Sequence, residues 1–232
     1  MKSYKIHFIR HGITEANQKG IYAGSTDFPV SSDGKLRLKE LSENYDYPLP
    51  NIIYTSPLKR CIQTCEIIYP ESNPIIVDDL SECCFGDWEG KSAKELEKNE
   101  DFIKWLESGQ RIAPPNGESG EQFTIRVCSV FDKIVENMMR SGITDASIIT
   151  HGGVIMTILS AFGLPKAGFY DWIVDNGCGY SVRIMPSLWM RDKVVEVYAN
   201  VPVGSSQQIS GDFKYMIDVA REAGKRAYDQ NK

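Results

Sequence analysis

The sequence predicts an α/β protein, a three-layer α/β/α sandwich with a mainly parallel central sheet. Short β-type runs alternate with helical patterns along the 232 residues, which is typical of parallel strands joined by helices. The first run is rich in β-formers and short enough to be buried on both faces. No linker rich in Pro, Gly or Ser divides the chain. We therefore expect a single domain over residues 1–232, with a core at about 4–200 and a C-terminal helical extension over 201–232.

Six β-type runs predict the strands, in chain order: Tyr4 to Arg10, Asn51 to Thr55, Pro74 to Val77, Ala146 to Thr150, Tyr180 to Ile184 and Val194 to Tyr198. The helical patterns cover Asp33 to Glu43, Ser56 to Ile68, Ser92 to Ser108, Glu118 to Arg140, Gly153 to Phe162 and Asp212 to Asn231. Ser56 and Pro57 are typical of an N-cap and a first helical residue. The pattern that begins at Glu118 has one continuous apolar stripe. Pro186 is placed in a loop between the last two strands.

Composition and charge exclude several classes of protein. Hydrophobic residues make up 42% and charged residues 25% of the chain, the balance of a globular protein. The net charge of −5 argues against binding to nucleic acid or to an anionic membrane, because a mildly acidic surface gains little from either polyanion. No run approaches the roughly 18 apolar residues of a membrane span, and residues 1–12 lack the features of a secretion signal. We expect a cytoplasmic protein, a monomer or a homodimer.

The six cysteines predict no metal site. No C-x-x-C pair occurs, so neither a zinc knuckle nor a thioredoxin-type site has support. Cys61 and Cys65 lie four residues apart on a predicted helix, which is typical of small buried thiols. Cys83 and Cys84 directly follow Glu82, so we expect at least one of them near the site described below.

Two of the three histidines have similar sequence neighbours. His11 and His151 each follow a predicted buried strand and precede a glycine. Ligands bind outside the carboxyl ends of the strands in an open α/β sheet, so both imidazoles are expected at one sheet edge. His7 lies inside the first strand and is interpreted as structural. A metal pair of His7 with His11 needs helical spacing, which this segment lacks.

Lys59 and Arg60 stand in the first turn of a predicted helix. Cations there oppose the helix macrodipole, which favours anions at the N-terminus. Local conflicts of this kind tend to mark functional sites. An anion bound at the helix N-terminus would resolve the conflict, and a solvated basic turn is the alternative.

Six segments, taken in order, resemble the motifs of the histidine phosphatase superfamily, the phosphoglycerate mutase-like proteins. They are residues 10–17 (RHGITEAN), 22–29 (YAGSTDFP), 56–64 (SPLKRCIQT), 80–90 (LSECCFGDWEG), 114–119 (PPNGES) and 151–153 (HGG). The resemblance extends from about Lys5 to Met185. One R-H-G motif is weak evidence, whereas six motifs in the right order are specific.

The resemblance implies a role for each residue that matches a motif. His11 would be the nucleophile that becomes a phosphohistidine. Arg10, Arg60 and His151 would bind the phosphoryl oxygens, and Glu82 would donate a proton to the leaving oxygen. No metal or other cofactor is implied. The further substrate-binding residues implied are Asn17, Gly24, Ser25, Thr26 and Gly152.

Elementary chemistry agrees with these roles. Phosphoryl transfer depends on positioning and on stabilising the charge of the phosphoryl oxygens, for which the planar fork of arginine is suited. His11 must be neutral to attack, because a protonated imidazole has no lone pair. A leaving alkoxide needs an acid, and a glutamate side chain is suited to that role when it is desolvated.

Three side chains in these motifs have a second interpretation. Asn17 either contacts phosphate or caps a helix. Trp88 is expected in the core or in the pocket wall, and Glu118 either belongs to the site or favours a helix N-terminus. The pair Cys83 and Cys84 departs from the usual residues after the acidic motif, which bears on substrate preference.

The segment lengths favour one branch of the superfamily. Mutases of this family resemble L-N-E-R-H-Y-G at the acid motif and carry a long insert, whereas here only about 25 residues separate Trp88 from Pro114. The sequence therefore predicts a phosphatase acting on a small phosphomonoester, with α-ribazole 5′-phosphate and sugar phosphates as candidates. A phosphoglycerate mutase is the alternative. A non-catalytic module that binds a phosphorylated ligand is disfavoured, because a binder needs neither His11 nor Glu82.

Overall fold

The computed structural model describes residues 2–109 and 111–205. Its strands are β1 (Tyr4–Arg10), β2 (Ile52–Thr55), β3 (Ile75–Ile76), β4 (Asp145–Thr150), β5 (Gly163–Leu164), β6 (Gly179–Ile184) and β7 (Val195–Val201). Its α-helices are α1 (Glu15–Lys19), α2 (Ser32–Asn44), α3 (Lys59–Ile68), α4 (Ala93–Leu96), α5 (Glu100–Glu107), α6 (Gly120–Ser141), α7 (Gly152–Phe162) and α8 (Pro186–Asp192).

The strands form one sheet in the order β3-β2-β4-β1-β6-β7-β5. The pairs β3-β2, β2-β4, β4-β1 and β7-β5 are parallel, whereas β1-β6 and β6-β7 are antiparallel. Helices α6 and α7 pack together over one face. Helix α3 covers the opposite face with α2 beside it. The predicted three-layer α/β/α sandwich with a mainly parallel sheet is confirmed.

Helix α6 buries the apolar stripe that its sequence pattern predicts. Its stripe is buried along its whole length, and this stripe comprises Phe123, Val127, Val130, Phe131, Ile134, Val135 and Met138. Ser119 caps the helix by accepting from the Gln122 N–H, and Gln122 bonds back to the Ser119 backbone, which is a capping box. Gly142 ends the helix in the left-handed conformation.

Three predicted elements differ from the structure. Helix α3 begins at Lys59 with Leu58 as N-cap, so the prediction that Ser56 and Pro57 open this helix was wrong. The pattern from Ser92 to Ser108 divides into α4 and α5, because the Asn99 side chain accepts from Phe102 N–H and starts a second helix.

The third difference is α8, which occupies the segment placed in a loop around Pro186. Proline suits the first helical position, where its missing N–H is not needed. The helix predicted over Asp212 to Asn231 lies outside the described residues. No helix of the described residues is long and apolar enough to span a membrane.

Candidate active site

Two neighbouring strands bring His11 and His151 together. Strands β1 and β4 pair in parallel with Arg10 opposite Thr150, and the His11 N–H donates to the Thr150 carbonyl at 2.9 Å. The two imidazole rings, which follow these strand ends, lie 5.2 Å apart between centroids and meet edge to face. The prediction that both histidines meet at one sheet edge is confirmed.

The protonation of His11 follows from its hydrogen bond. Its Nδ1 lies 2.8 Å from the Gly12 carbonyl oxygen. A carbonyl only accepts, so Nδ1 carries the proton and Nε2 keeps a lone pair. Burial, together with the nearby charges of Arg60 and Arg10, holds the pKa of His11 well below its ordinary value. His11 is therefore a neutral base with Nε2 available as a nucleophile.

His151 is fixed on both ring nitrogens. Arg60 Nε donates to His151 Nδ1 at 3.3 Å, so in the neutral ring Nε2 carries the proton and donates to Ser56 Oγ at 2.9 Å. Burial and the charge of Arg60 lower the pKa of His151 well below its ordinary value. Ser56 therefore orients the His151 ring. This contact accounts for a serine just before α3, where the N-cap residue is Leu58.

Arg60 is also tied to the loop over residues 23–26. Its guanidinium donates to the carbonyl oxygens of Thr26 at 2.8 Å and Gly24 at 2.7 Å. From the other side, the Glu89 carboxylate accepts from the backbone N–H groups of Ser25 at 2.8 Å and Thr26 at 2.6 Å and from both hydroxyl groups. Burial acts to raise the pKa of Glu89, but these hydrogen bonds lower it overall.

The conflict at the start of α3 is resolved within the protein. The Asp27 carboxylate accepts from the Lys59 N–H at 2.7 Å and lies 3.4 Å from Lys59 Nζ. The anion at this helix N-terminus is therefore a side chain from the 22–29 motif and not the bound ligand that the sequence analysis had expected. This contact links the loop to the helix that carries Arg60.

Arg10 and Glu82 approach the same region from different segments. Arg10 Nη1 donates to the Val174 carbonyl at 2.7 Å, and burial lowers the pKa of Arg10 to about 10. The Glu82 carboxylate accepts from the N–H groups of Gly153 at 2.9 Å and Cys83 at 3.0 Å. The first of these donors lies in the first turn of α7, where backbone N–H groups favour anions.

These groups line a cavity of about 200 Å³. Its walls include five of the predicted site residues, namely Arg10, His11, Asn17, Glu82 and Gly152. The other five lie outside its described lining: Arg60, His151, Gly24, Ser25 and Thr26. Of these, His151 touches the His11 ring, and Gly24 packs so closely on the Cys83 carbonyl that a Cβ would overlap it. A role of the loop in binding substrate stays a prediction.

Asn17 serves the helix and also faces the cavity. Its Oδ1 accepts from the Thr14 N–H at 3.1 Å and completes the capping box of α1. Its Nδ2 makes no hydrogen bond within residues 2–109 and 111–205, so this amide group is available to an anion. Both interpretations of Asn17 are therefore compatible.

The structure adds two residues that the sequence analysis did not single out, Asn176 and Arg126. Asn176 lines the cavity and donates to the His11 carbonyl at 2.9 Å. Glu118, also in the wall, forms a two-bond ion pair with Arg126 at 2.7 and 2.9 Å. Arg126 donates in turn to the Ser81 carbonyl at 2.9 Å, which holds the backbone before Glu82. Only Glu118 belonged to a motif, and no local pattern marks the other two.

Aromatic rings complete the cavity. Tyr22, Phe85 and Trp105 contribute to its wall, with Phe123, Phe169 and Tyr170. Trp88 is 2% exposed and packs on Trp105 at 5.2 Å between centroids, so its predicted place in the core is confirmed. Cys83 lines the cavity, which confirms that one of the two adjacent thiols lies at the site.

The remaining histidine is buried and has a polar partner at each ring nitrogen. His7 Nδ1 lies 2.7 Å from Ser181 Oγ, and Nε2 lies 3.0 Å from Asp145 Oδ1. All six cysteines are free thiols. Among the residues that the structure describes, no group of three His, Cys, Asp or Glu side chains is arranged to hold a metal ion.

The fold and the paired histidines at the sheet edge are those expected of the histidine phosphatase superfamily, and comparison with known proteins agrees. The sequence profile of the histidine phosphatase superfamily (branch 1) matches residues 6–195, so the chain belongs to this superfamily.

Individual relatives fit this assignment. An adenosylcobalamin/alpha-ribazole phosphatase of Escherichia coli is 27% identical over 185 residues, 78% of this chain and 90% of that protein. Phosphoserine phosphatase 1 of Hydrogenobacter thermophilus is 27% identical over 183 residues, 77% of this chain and 85% of that protein. The crystal structure of an alpha-ribazole phosphatase from Shigella flexneri shares the fold, with a TM-score of 0.72 and 24% identity over 89% of this chain and all of that one.

Proposed function

We propose that this protein hydrolyses small phosphomonoesters through a phosphohistidine intermediate on His11. The observation that carries this proposal is the neutral, buried His11, whose Nδ1–H is held by the Gly12 carbonyl and whose Nε2 is free to attack. Arg10 and Glu82 line the same cavity, and they supply the cation and the acid that the reaction needs.

In the first step His11 Nε2 attacks phosphorus and the ester P–O bond breaks. Glu82 gives its proton to the departing alkoxide, which leaves as an alcohol. The phosphorylated ring still carries its Nδ1 proton and is positively charged, and the Gly12 carbonyl dipole stabilises that charge. Arg10 binds phosphoryl oxygens. Arg60 acts indirectly, because its Nε holds the His151 ring that contacts the ring of His11.

In the second step a water molecule attacks the phosphohistidine. The Glu82 carboxylate, now deprotonated, accepts a proton from that water, and the P–N bond breaks to release inorganic phosphate. Glu82 is thereby returned to its protonated form and His11 to its neutral form. Asn17 Nδ2 and the loop over residues 24–26 contribute to phosphate binding in this proposal.

Trapping the intermediate tests the nucleophile directly. Protein quenched during turnover of a 32P-labelled ester should carry acid-labile, alkali-stable label on the peptide that contains His11. His11→Ala should lose the label and nearly all turnover, because no other group can replace the nucleophile. Label on a serine or cysteine would contradict the assignment.

A phosphoglycerate mutase remains the second candidate function. The ratio of phosphate release to isomerisation distinguishes a phosphatase from a mutase. A mutase must shield its phosphohistidine from water until the product alcohol recaptures the phosphoryl group. Here only the short segment between Trp88 and Pro114, which contributes Trp105 to the cavity wall, is available to cover the site. We expect phosphate release from 3-phosphoglycerate to equal or exceed its isomerisation to 2-phosphoglycerate on one preparation, without a bisphosphoglycerate primer. Isomerisation far faster than phosphate release would establish the mutase.

We propose further that the enzyme needs no metal ion and acts in the cytoplasm, as a monomer or homodimer. Support for metal independence comes from the nucleophile, acid and cation that the chain itself supplies. The six free thiols are typical of a reducing compartment. Activity should persist after dialysis against EDTA, and a loss restored by added Mg²⁺ or Zn²⁺ would contradict this.

A further inference from the structure

The cavity has a continuous aromatic wall formed by Tyr22, Phe85 and Trp105. The ring centroids lie 5.0 Å apart for Tyr22 and Phe85, 6.1 Å for Tyr22 and Trp105, and 6.2 Å for Phe85 and Trp105. All three residues line the cavity that holds His11. Burial raises the pKa of Tyr22, so its phenol is neutral and the wall is uncharged. Such a surface favours flat apolar rings, which pack on it face to face or edge to face.

Acidic side chains outnumber basic ones in the described lining of the cavity. Arg10 is the only lysine or arginine among the described residues that line it, and Glu82 and Glu118 are the carboxylates. Arg126 already pairs with Glu118 through two hydrogen bonds. If Arg10 binds the phosphoryl group, a second anionic group of the substrate would find no further cation in the described wall. Burying an unpaired carboxylate in such a place is costly.

We propose that the alcohol half of the substrate is a flat, apolar, uncharged ring system that packs on Tyr22, Phe85 and Trp105. Esters with a second anionic group, such as phosphoserine and 3-phosphoglycerate, are poor substrates. This proposal rests on the phosphatase function proposed above and names the substrate class of the same site.

Three esters of primary alcohols test the proposal on the wild-type protein, since their leaving groups have similar basicity. They are 2-phenylethyl phosphate, 2-cyclohexylethyl phosphate and 3-phosphonooxypropanoate. We expect kcat/KM for the phenyl ester to exceed that for the cyclohexyl ester about two- to tenfold, because aromatic pairs add this much beyond apolar contact. We expect kcat/KM for the phenyl ester to exceed kcat/KM for the carboxylate ester at least about tenfold.

Two variants assign the preferences to the wall. Phe85→Leu should lower the ratio of kcat/KM for phenyl over cyclohexyl ester about two- to fivefold, whereas Tyr198→Leu, whose partly exposed ring lies outside the cavity, should leave it unchanged. Glu118→Gln removes a negative charge and leaves Arg126 less neutralised, so it should raise the relative kcat/KM of the carboxylate ester about threefold or more. Glu121→Gln, exposed one turn away, is the matched control.

The outcomes separate this proposal from the one it rests on. Release of phosphate from none of the three esters would remove the phosphatase function itself. Equal kcat/KM for the phenyl and cyclohexyl esters would overturn the aromatic wall, and equal or better hydrolysis of the carboxylate ester would overturn the exclusion of a second anion. In both of these cases the phosphatase function would stand.

Discussion

At the scale of single residues, one backbone carbonyl decides which nitrogen of His11 can react. The Gly12 carbonyl holds the proton on Nδ1, and Arg60 fixes the tautomer of His151 in the opposite sense. The two adjacent rings therefore present different nitrogens as donors. In the proposed mechanism His11 attacks through Nε2, whereas the Nε2–H of His151 donates to Ser56. Each tautomer follows from a partner that can only accept or only donate.

Glu82→Gln should discriminate between leaving groups. An amide cannot protonate a departing alkoxide, so kcat/KM for 2-phenylethyl phosphate should fall about 10²- to 10⁴-fold. The loss for p-nitrophenyl phosphate should be much smaller, because nitrophenolate leaves without a proton. Steady-state rates on both esters make the comparison, and p-nitrophenyl phosphate serves as the internal control. Equal losses on both would show that Glu82 is not the acid.

At the scale of elements, the N-terminus of α7 positions Glu82. The Gly153 N–H donates to the Glu82 carboxylate at 2.9 Å, and a Cβ at Gly153 would overlap Glu82 Oε1. The glycine is therefore needed for the approach of the carboxylate to the first turn of the helix.

Gly153→Ala should displace Glu82 while leaving the fold intact. We expect kcat to fall about 10- to 100-fold, since misplacing a catalytic group by about 1 Å has effects of this size. Thermal unfolding should change little, because alanine favours a helix over glycine. Ser160→Ala at the other end of α7 should retain activity and serves as the control. Full activity in Gly153→Ala would show that the contact with Glu82 does not matter for turnover.

At the scale of the whole molecule, three buried histidines make the fold sensitive to acid. Burial lowers the pKa of His7, His11 and His151, although Asp145 partly offsets this at His7. The unfolded chain therefore binds more protons than the folded protein once the pH falls below about 6.5. The stability that the neutral rings contribute is fully present above that pH and is lost as the pH falls below it.

The free energy of unfolding should decrease between pH 7 and pH 5. Each histidine contributes up to about 1.4 kcal/mol per pH unit, and urea denaturation at pH 7, 6 and 5 measures the sum. His7→Gln removes one of the three groups and should give a shallower slope, while its neutral amide keeps polar contacts with Ser181 and Asp145. Constant or rising stability toward pH 5 would contradict the prediction.

The sequence by itself determined the layers of this protein and most of its chemical groups. Runs of β-forming residues located six of the seven described strands, and the helical repeat located the α6 stripe, because both are local properties of the chain. His11 and His151 were identified because each directly follows a predicted strand. The carboxyl ends of parallel strands meet at one edge of a sheet, so the two residues were expected to lie together. These conclusions need only neighbours in sequence.

Only the tertiary structure decided how the groups are partnered. The start of α3 depends on Asp27, which is 32 residues before Lys59, and the Arg60 guanidinium is bound by the loop at residues 23–26. The aromatic wall likewise joins segments far apart in the chain, and Arg126 donates to the Ser81 carbonyl 45 residues before it. Hydrogen bonds, ion pairs and ring contacts depend on distances in space, which local sequence patterns do not encode, so these partners became known only from the folded chain.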